Sequence, residues 1–147
     1  MDNTGQYASI VAFNSGTSAY VAYYDATAQD LRYVKATRGG STPTTLTFTT
    51  PGTIDSTGNV GQYTSIVCSS DGVTIYISYY DVTNQHLKMA KSTNSGTSWS
   101  TQTVDTSTNV GKYTSIRING SVVYISYYDT ANVALKIAKS LDGGATW

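Results

Sequence analysis

A chain of 147 residues is one domain in size, and its nine basic and nine acidic residues cancel, with a charged fraction of 12% and no run of Lys or Arg. This excludes the electrostatic footprint of nucleic-acid or anionic-membrane binding, so neither partner is expected. No stretch approaches the roughly 18 apolar residues of a bilayer-spanning helix, and Met1 to Thr4 carry no signal-peptide pattern.

Thirteen Tyr, only two Pro and an abundance of Thr, Ser and Gly are the vocabulary of short strands and polar turns, which predicts an all-β protein. Every acidic residue is Asp, and the chain has no Glu. The one cysteine, Cys68, can form no internal disulfide and is expected to be a small core residue.

Along the chain, the same landmarks return three times in the same order. The first unit, about residues 4–55, opens with Gly5 to Ile10, turns at Asn14-Ser15-Gly16, and continues through Tyr20 to Asp25 and Leu31 to Lys35. The second, about 60–105, has Gly61 to Ile66, Ser70-Asp71-Gly72, Tyr76 to Asp81 and Leu87 to Lys91. The third, about 110–147, has Gly111 to Ile116, Asn119-Gly120, Tyr124 to Asp129 and Leu135 to Lys139. The patterns are Gly-x-Tyr-[Ala/Thr]-Ser-Ile, Tyr-[Val/Ile]-[Ala/Ser]-Tyr-Tyr-Asp and Leu-[Arg/Lys]-x-[Val/Ala]-Lys, recurring every 48 to 56 residues or so, the period of a β-propeller blade.

Within the second unit, β-branched and aromatic runs bounded by turn residues predict four strands, over Gln62–Ser69, Val73–Tyr80, His86–Ser92 and Ser98–Asp105. Apolar residues on both faces of the second strand, as at Tyr76, Ile77, Tyr79 and Tyr80, fit a sheet covered on both sides. The fold expected is three four-stranded antiparallel propeller blades, the last truncated at Trp147 before most of its fourth strand. Three blades cannot close a ring, so they are expected to be part of a larger one, six-bladed by homodimerisation or completed by further blades of a longer chain.

Two segments carry a further pattern, Ser92 to Trp99 and Ser140 to Trp147. Ser140, Asp142, Gly144 and Trp147 match Ser-x-Asp-x-Gly-x-x-Trp in full, and Ser92, Asn94, Gly96 and Trp99 depart from it only at Asn94. The pattern resembles the Asp-box of the sialidase-like, BNR-repeat propellers. In the first unit, Ala36 to Pro43 keep only Gly40 of it. The resemblance implies a folding role for these turns, with an acceptor side chain holding backbone N–H groups and Trp plugging the gap between sheets. The Gly-x-Tyr and Tyr-Tyr-Asp patterns also resemble those of bacterial propellers with extracellular features, which implies an extracellular or cell-surface location.

The first landmark and the end of the second strand meet on one face, opposite the Asp-box turns. There Tyr7, Tyr63 and Tyr113, with Asp25, Asp81 and Asp129 and the nearby Gln6, Gln62 and Lys112, are candidates for a polar and aromatic glycan-binding rim. The competing expectation is that each Asp holds the backbone of its own following turn.

Catalytic signals are few. A sialidase uses an arginine cluster, a Tyr nucleophile and a Glu, but here the arginines are only Arg32, Arg38 and Arg117 and Glu is absent. Glycoside cleavage would have to rely on Asp81 and its equivalents alone. Arg117 stands where Val11 and Val67 stand in the other units, which suits either a solvated channel mouth or contact with an anion. His86, the one histidine, is expected to be a solvated turn residue, and no metal or cofactor motif is present. The function expected is a non-catalytic binding or assembly module that takes glycans if it takes a small ligand. The alternatives are a carbohydrate-active enzyme and a purely structural repeat.

Overall fold

The computed structural model describes residues 2–39 and 45–147. Gly40 and Pro43, named above in the first unit's vestigial turn, lie outside the described residues. Three antiparallel, blade-like sheets follow one another along the chain, with no α-helix among the described residues. The first comprises β1 (Thr4–Phe13), β2 (Ser18–Asp25), β3 (Asp30–Arg38), β4 (Leu46–Phe48) and β5 (Gly52–Asp55). The second comprises β6 (Val60–Cys68), β7 (Ile75–Asp81), β8 (His86–Ser92) and β9 (Ser100–Asp105), and the third β10 (Val110–Asn119), β11 (Val122–Asp129) and β12 (Ala134–Ser140).

Each sheet is a meander in chain order, as the repeated strand–turn composition predicts. The first departs from four strands because its outer edge is split. β4 pairs with Ala36–Arg38 and β5 with Leu31–Tyr33 of the same strand β3. Between them Pro51 has no N–H to offer a ladder, and the Thr49 hydroxyl takes the Lys35 N–H instead. β7 starts two residues later than the pattern of apolar residues suggested. Asp71 Oδ1 accepts the Val73 N–H and the Ser69 hydroxyl accepts the Thr74 N–H, so both residues belong to the turn.

The sheets stack face on face, and the burial of their central strands records it. β7 is buried at every position. Ile75, Ile77 and Tyr79 lie in an apolar cluster with Tyr20, Ala22 and Leu31 of the first sheet. Tyr76, Leu87 and Met89 lie in a second cluster with Ile116, Val123, Ile125 and Tyr127 of the third. By contrast β2 and β11 bury alternate residues, as strands do when only one face is covered. Cys68 packs, half-buried, at the margin of the first cluster, and burial followed by the nearby Asp71 charge raises its thiol pKa.

Two contacts recur at both junctions between sheets. Asp55, at the end of β5, receives the Tyr79 hydroxyl at 2.7 Å and the Lys88 ammonium at 2.5 Å, and Asp105, at the end of β9, receives Tyr127 and Lys136 at the same distances. The Thr64 hydroxyl reaches the carbonyl of Tyr7, and that of Thr114 reaches the carbonyl of Tyr63. Each contact joins a residue of one sheet to a residue of the next, so the chain's repeat is also a repeat of its junctions.

Candidate functional site

The first strand of each sheet carries an irregularity at the same place. Register shifts fall around Gln6, Gln62 and Lys112, and the following residue, Tyr7, Tyr63 or Tyr113, has φ of 52°, 54° or 55°. A left-handed conformation costs a bulky L-residue about 1–2 kcal/mol, so three tyrosines hold it only because their surroundings impose it. The Thr64 and Thr114 bonds to the carbonyls of Tyr7 and Tyr63 are part of that constraint.

The bulges turn the three rings into one row. Ring centroids of Tyr7 and Tyr63 are 4.6 Å apart, as are those of Tyr63 and Tyr113. A second row of Tyr24, Tyr80 and Tyr128 runs beside it at 6.1, 6.2 and 6.3 Å. Tyr24 donates to Asn59 Oδ1 and Tyr80 to Asn109 Oδ1, each in the loop that leads into the next sheet. Tyr7 and Tyr113, at the ends of the row, are exposed, and Tyr63 is half-buried. Burial, with the hydroxyls of Tyr113 and Tyr7 alongside, pushes the Tyr63 phenol up to about 12. Lys112 lies 5.3 Å from the Tyr80 ring centroid, and Gln6 donates to Asn3 Oδ1 at 3.0 Å.

The aspartates named with these tyrosines are buried behind them and are occupied by their own turns. Asp81 Oδ1 and Oδ2 accept from the backbone N–H and side-chain amide of Asn84, and Asp129 does the same with Asn132. Asp25 accepts the N–H groups of Thr27 and Ala28 on Oδ1. Its Oδ2 takes Arg32 at 2.8 Å, because Ala28 has no amide to offer where Asn84 and Asn132 do. Donors from the backbone and from Arg32 lower the pKa of Asp25, and those of Asn132 lower that of Asp129. The geometry therefore presents tyrosine faces and edges outward and keeps the carboxylates inside.

The two Trp-ended turns lie between β8 and β9 and after β12. Ser92 and Ser140 accept the N–H groups of Gly96 and Gly144, while Asn94 accepts from Ser98 and Asp142 from Ala145 and Thr146. Trp99 meets Tyr33 of the first sheet edge-on at 5.2 Å, and Trp147 packs on the second cluster.

No family model matches this chain, and no curated protein matches it. His86 opens β8, half-buried, and pairs across the ladder with Asp81 rather than sitting in a turn. Arg117 is exposed and donates to the carbonyl of Ile116. Among the described residues no group of three or more His, Cys, Asp or Glu is placed to hold a metal ion.

Sequence reasoning missed the junction carboxylates Asp55 and Asp105. Their signal was in the chain: each stands five residues before a Val-Gly pair, and each is matched by a Tyr and a Lys at fixed places in the next unit. It also missed the tilted packing of the three tyrosines in one row, because a left-handed Tyr in a strand has no pattern in a single sequence.

Proposed function

We propose that this chain is a non-catalytic β-propeller module that works by assembly through its two outer sheet faces, a second copy closing a six-bladed ring head to tail. The observation that carries this reading is the exposure of residues whose counterparts are core. Leu135 of the third sheet is 74% exposed, whereas Leu31 and Leu87 at the same place in their units are 0% exposed. On the opposite outer face Ile10 is 68% exposed, against 5% for Ile66 and 0% for Ile116.

The two faces are complementary because the internal junctions are made from the same pair of surfaces. One face offers Tyr124, Leu135 and Ile137, the places of Tyr76, Leu87 and Met89, which pack on the next sheet. The other offers Ile10, Ala19 and Val21, the places of Ile66, Ile75 and Ile77, around a hollow of about 420 Å³. Burying each large apolar side chain contributes about 1.5–3 kcal/mol, which favours covering such a patch.

Sedimentation of the full chain tests this. The expected mass is twice 15.7 kDa, and a Leu135→Asp/Ile137→Asp variant, altered only at exposed positions, is expected to sediment as a single chain. A wild-type chain that stays single at high concentration removes the second copy as the partner.

The tyrosine row supports a second role, glycan binding, since sugar rings stack on aromatic faces and the hydroxyls at its edge can donate and accept. Binding on a glycan array is expected to fall at least tenfold, or about 1.4 kcal/mol, for Tyr113→Ala, which removes an exposed ring. Silence of the wild-type chain across the array would remove the glycan reading. The resemblance of the Trp-ended turns to the Asp-box of sialidase-like propellers, and the extracellular setting implied by the Gly-x-Tyr and Tyr-Tyr-Asp patterns, are part of this proposal. The non-catalytic reading is favoured by the want of Glu and by carboxylates committed to turns and junctions.

A further inference from the structure

The row of Tyr7, Tyr63 and Tyr113 brings phenols together more tightly than binding a ligand needs. Ring centroids along it are 4.6 Å apart, against 6.1 to 6.3 Å from the row to Tyr24, Tyr80 and Tyr128. Aromatic pairs in contact span about 4.5–7 Å, so the row lies at the near limit. Its planes are tilted by 48° and 57°, and the hydroxyls of Tyr7 and Tyr113 lie alongside that of Tyr63.

This closeness is imposed by the backbone. The three rings stand on β1, β6 and β10, one from each sheet, and each leaves a bulge at φ of 52° to 55°. The Thr64 and Thr114 hydroxyls fix the carbonyls of Tyr7 and Tyr63 to the following sheet. Left-handed tyrosines persist only where their surroundings over-determine them, and such strain gathers where chemistry is done. Tyr24 and Tyr80 give their hydroxyls to Asn59 and Asn109, whereas the hydroxyls of the row meet no group outside it among the described residues.

We propose that the row is a site of oxidative cross-linking, where a haem peroxidase and hydrogen peroxide join Tyr63 to Tyr7 or to Tyr113 within one chain. Each of two phenols gives up one electron and its hydroxyl proton. The two ring radicals then form one C–C bond between carbons ortho to oxygen, and each of those carbons passes its hydrogen to its own oxygen, which restores two phenols. The two electrons and two protons released reduce the peroxide to two waters. Rings held side by side couple before either radical meets a distant partner. The new bond closes a loop of about 50 residues and ties neighbouring sheets together, so it restricts the unfolded chain as a disulfide of that span does. The inference rests on neither the ring nor the glycan reading above.

Treating the dilute full chain with a haem peroxidase and hydrogen peroxide tests it, with free tyrosine as the check that the oxidant is active. The expected product is a single chain lighter by two hydrogen atoms, with dityrosine fluorescence and a raised melting temperature. One cysteine can form no internal disulfide, so no such bond mimics that loss of mass. Peptide mapping is expected to join Tyr63 to Tyr7 or Tyr113. Tyr63→Phe keeps the ring and is expected to cut the intrachain yield at least tenfold, because both close pairs share Tyr63. Tyr124→Phe is expected to leave the yield unchanged, since Tyr124 is as exposed as Tyr7, at 41% against 40%, but lies in no close tyrosine pair. Absence of an intrachain product, a map that joins tyrosines outside the row, or an undiminished yield in Tyr63→Phe overturns the proposal.

Discussion

Asp55→Ala is expected to destabilise the chain by about 3–5 kcal/mol, because it strands the Lys88 ammonium inside the junction between the first two sheets. Lys88 and Asp55 are both buried, their ion pair measures 2.5 Å, and Tyr79, fully buried, gives the carboxylate a second side-chain bond. An Asp55→Val/Lys88→Met double variant is expected to recover most of the loss, since no charge is then left without a partner. Asp105→Ala is expected to cost less, because Lys136 is one-third exposed and regains water. Urea unfolding of the unaltered chain and the three variants decides it. A loss below about 1 kcal/mol for Asp55→Ala would show that the pair does not hold the junction.

The same carboxylate makes the junction sensitive to acid. Burial raises the Asp55 pKa, but bonds from Lys88, Tyr79 and the Thr57 N–H outweigh it and bring it below the ordinary 3.8. A depressed folded-state pKa favours the folded chain above 3.8 and withdraws that contribution as pH falls through the lower value. Asp105 and Asp129 are shifted the same way, whereas burial raises the pKa of Asp30 and gives it the opposite sign. The melting temperature is therefore expected to drop below about pH 4, with a shallower acid limb in Asp55→Asn.

The second large effect is expected from Gly61→Ala. Gly61 sits at φ +104°, and a Cβ there would stand 2.7 Å from Leu31 Cα and 2.9 Å from Leu31 Cβ, so the backbones of two sheets would have to part. Backbone strain and overpacking together cost about 3 kcal/mol. Gly5→Ala is the internal control, because Gly5 has φ +90° and nothing within 4 Å. It is expected to cost only the backbone part, about 1 kcal/mol. Equal losses at the two glycines in thermal unfolding would show that close sheet approach is not what Gly61 serves.

Much of the fold was legible residue by residue. The β-branched and aromatic run and the turns around Tyr76 to Asp81 placed β7 to within two residues, and His86–Ser92 was read as the strand β8 that it is. Strand edges were less legible where side chains compete with the ladder, as Asp71 and Ser69 do before β7. The candidate site was legible as a set of residues but not as a geometry. Tyr7, Tyr63 and Tyr113 stood out by repetition, yet their meeting in one row depends on three bulges and on how neighbouring sheets pack. Asp25, Asp81 and Asp129 stood out equally, and only the tertiary structure separates a carboxylate turned outward from one bonded to its own hairpin.

By itself, then, the amino-acid order determined three repeated units, their antiparallel strands and their turns, because periodicity, β-branching and turn residues act over a few neighbours along the chain. The tertiary structure alone decided which residues meet between units, namely Asp55 with Lys88, Tyr63 with its two neighbours in the row, and Gly61 against Leu31. It also decided which faces are left open at Ile10 and Leu135. Those are contacts over some 20 to 60 residues of chain, set by how sheets stack, and no local pattern encodes the direction of stacking.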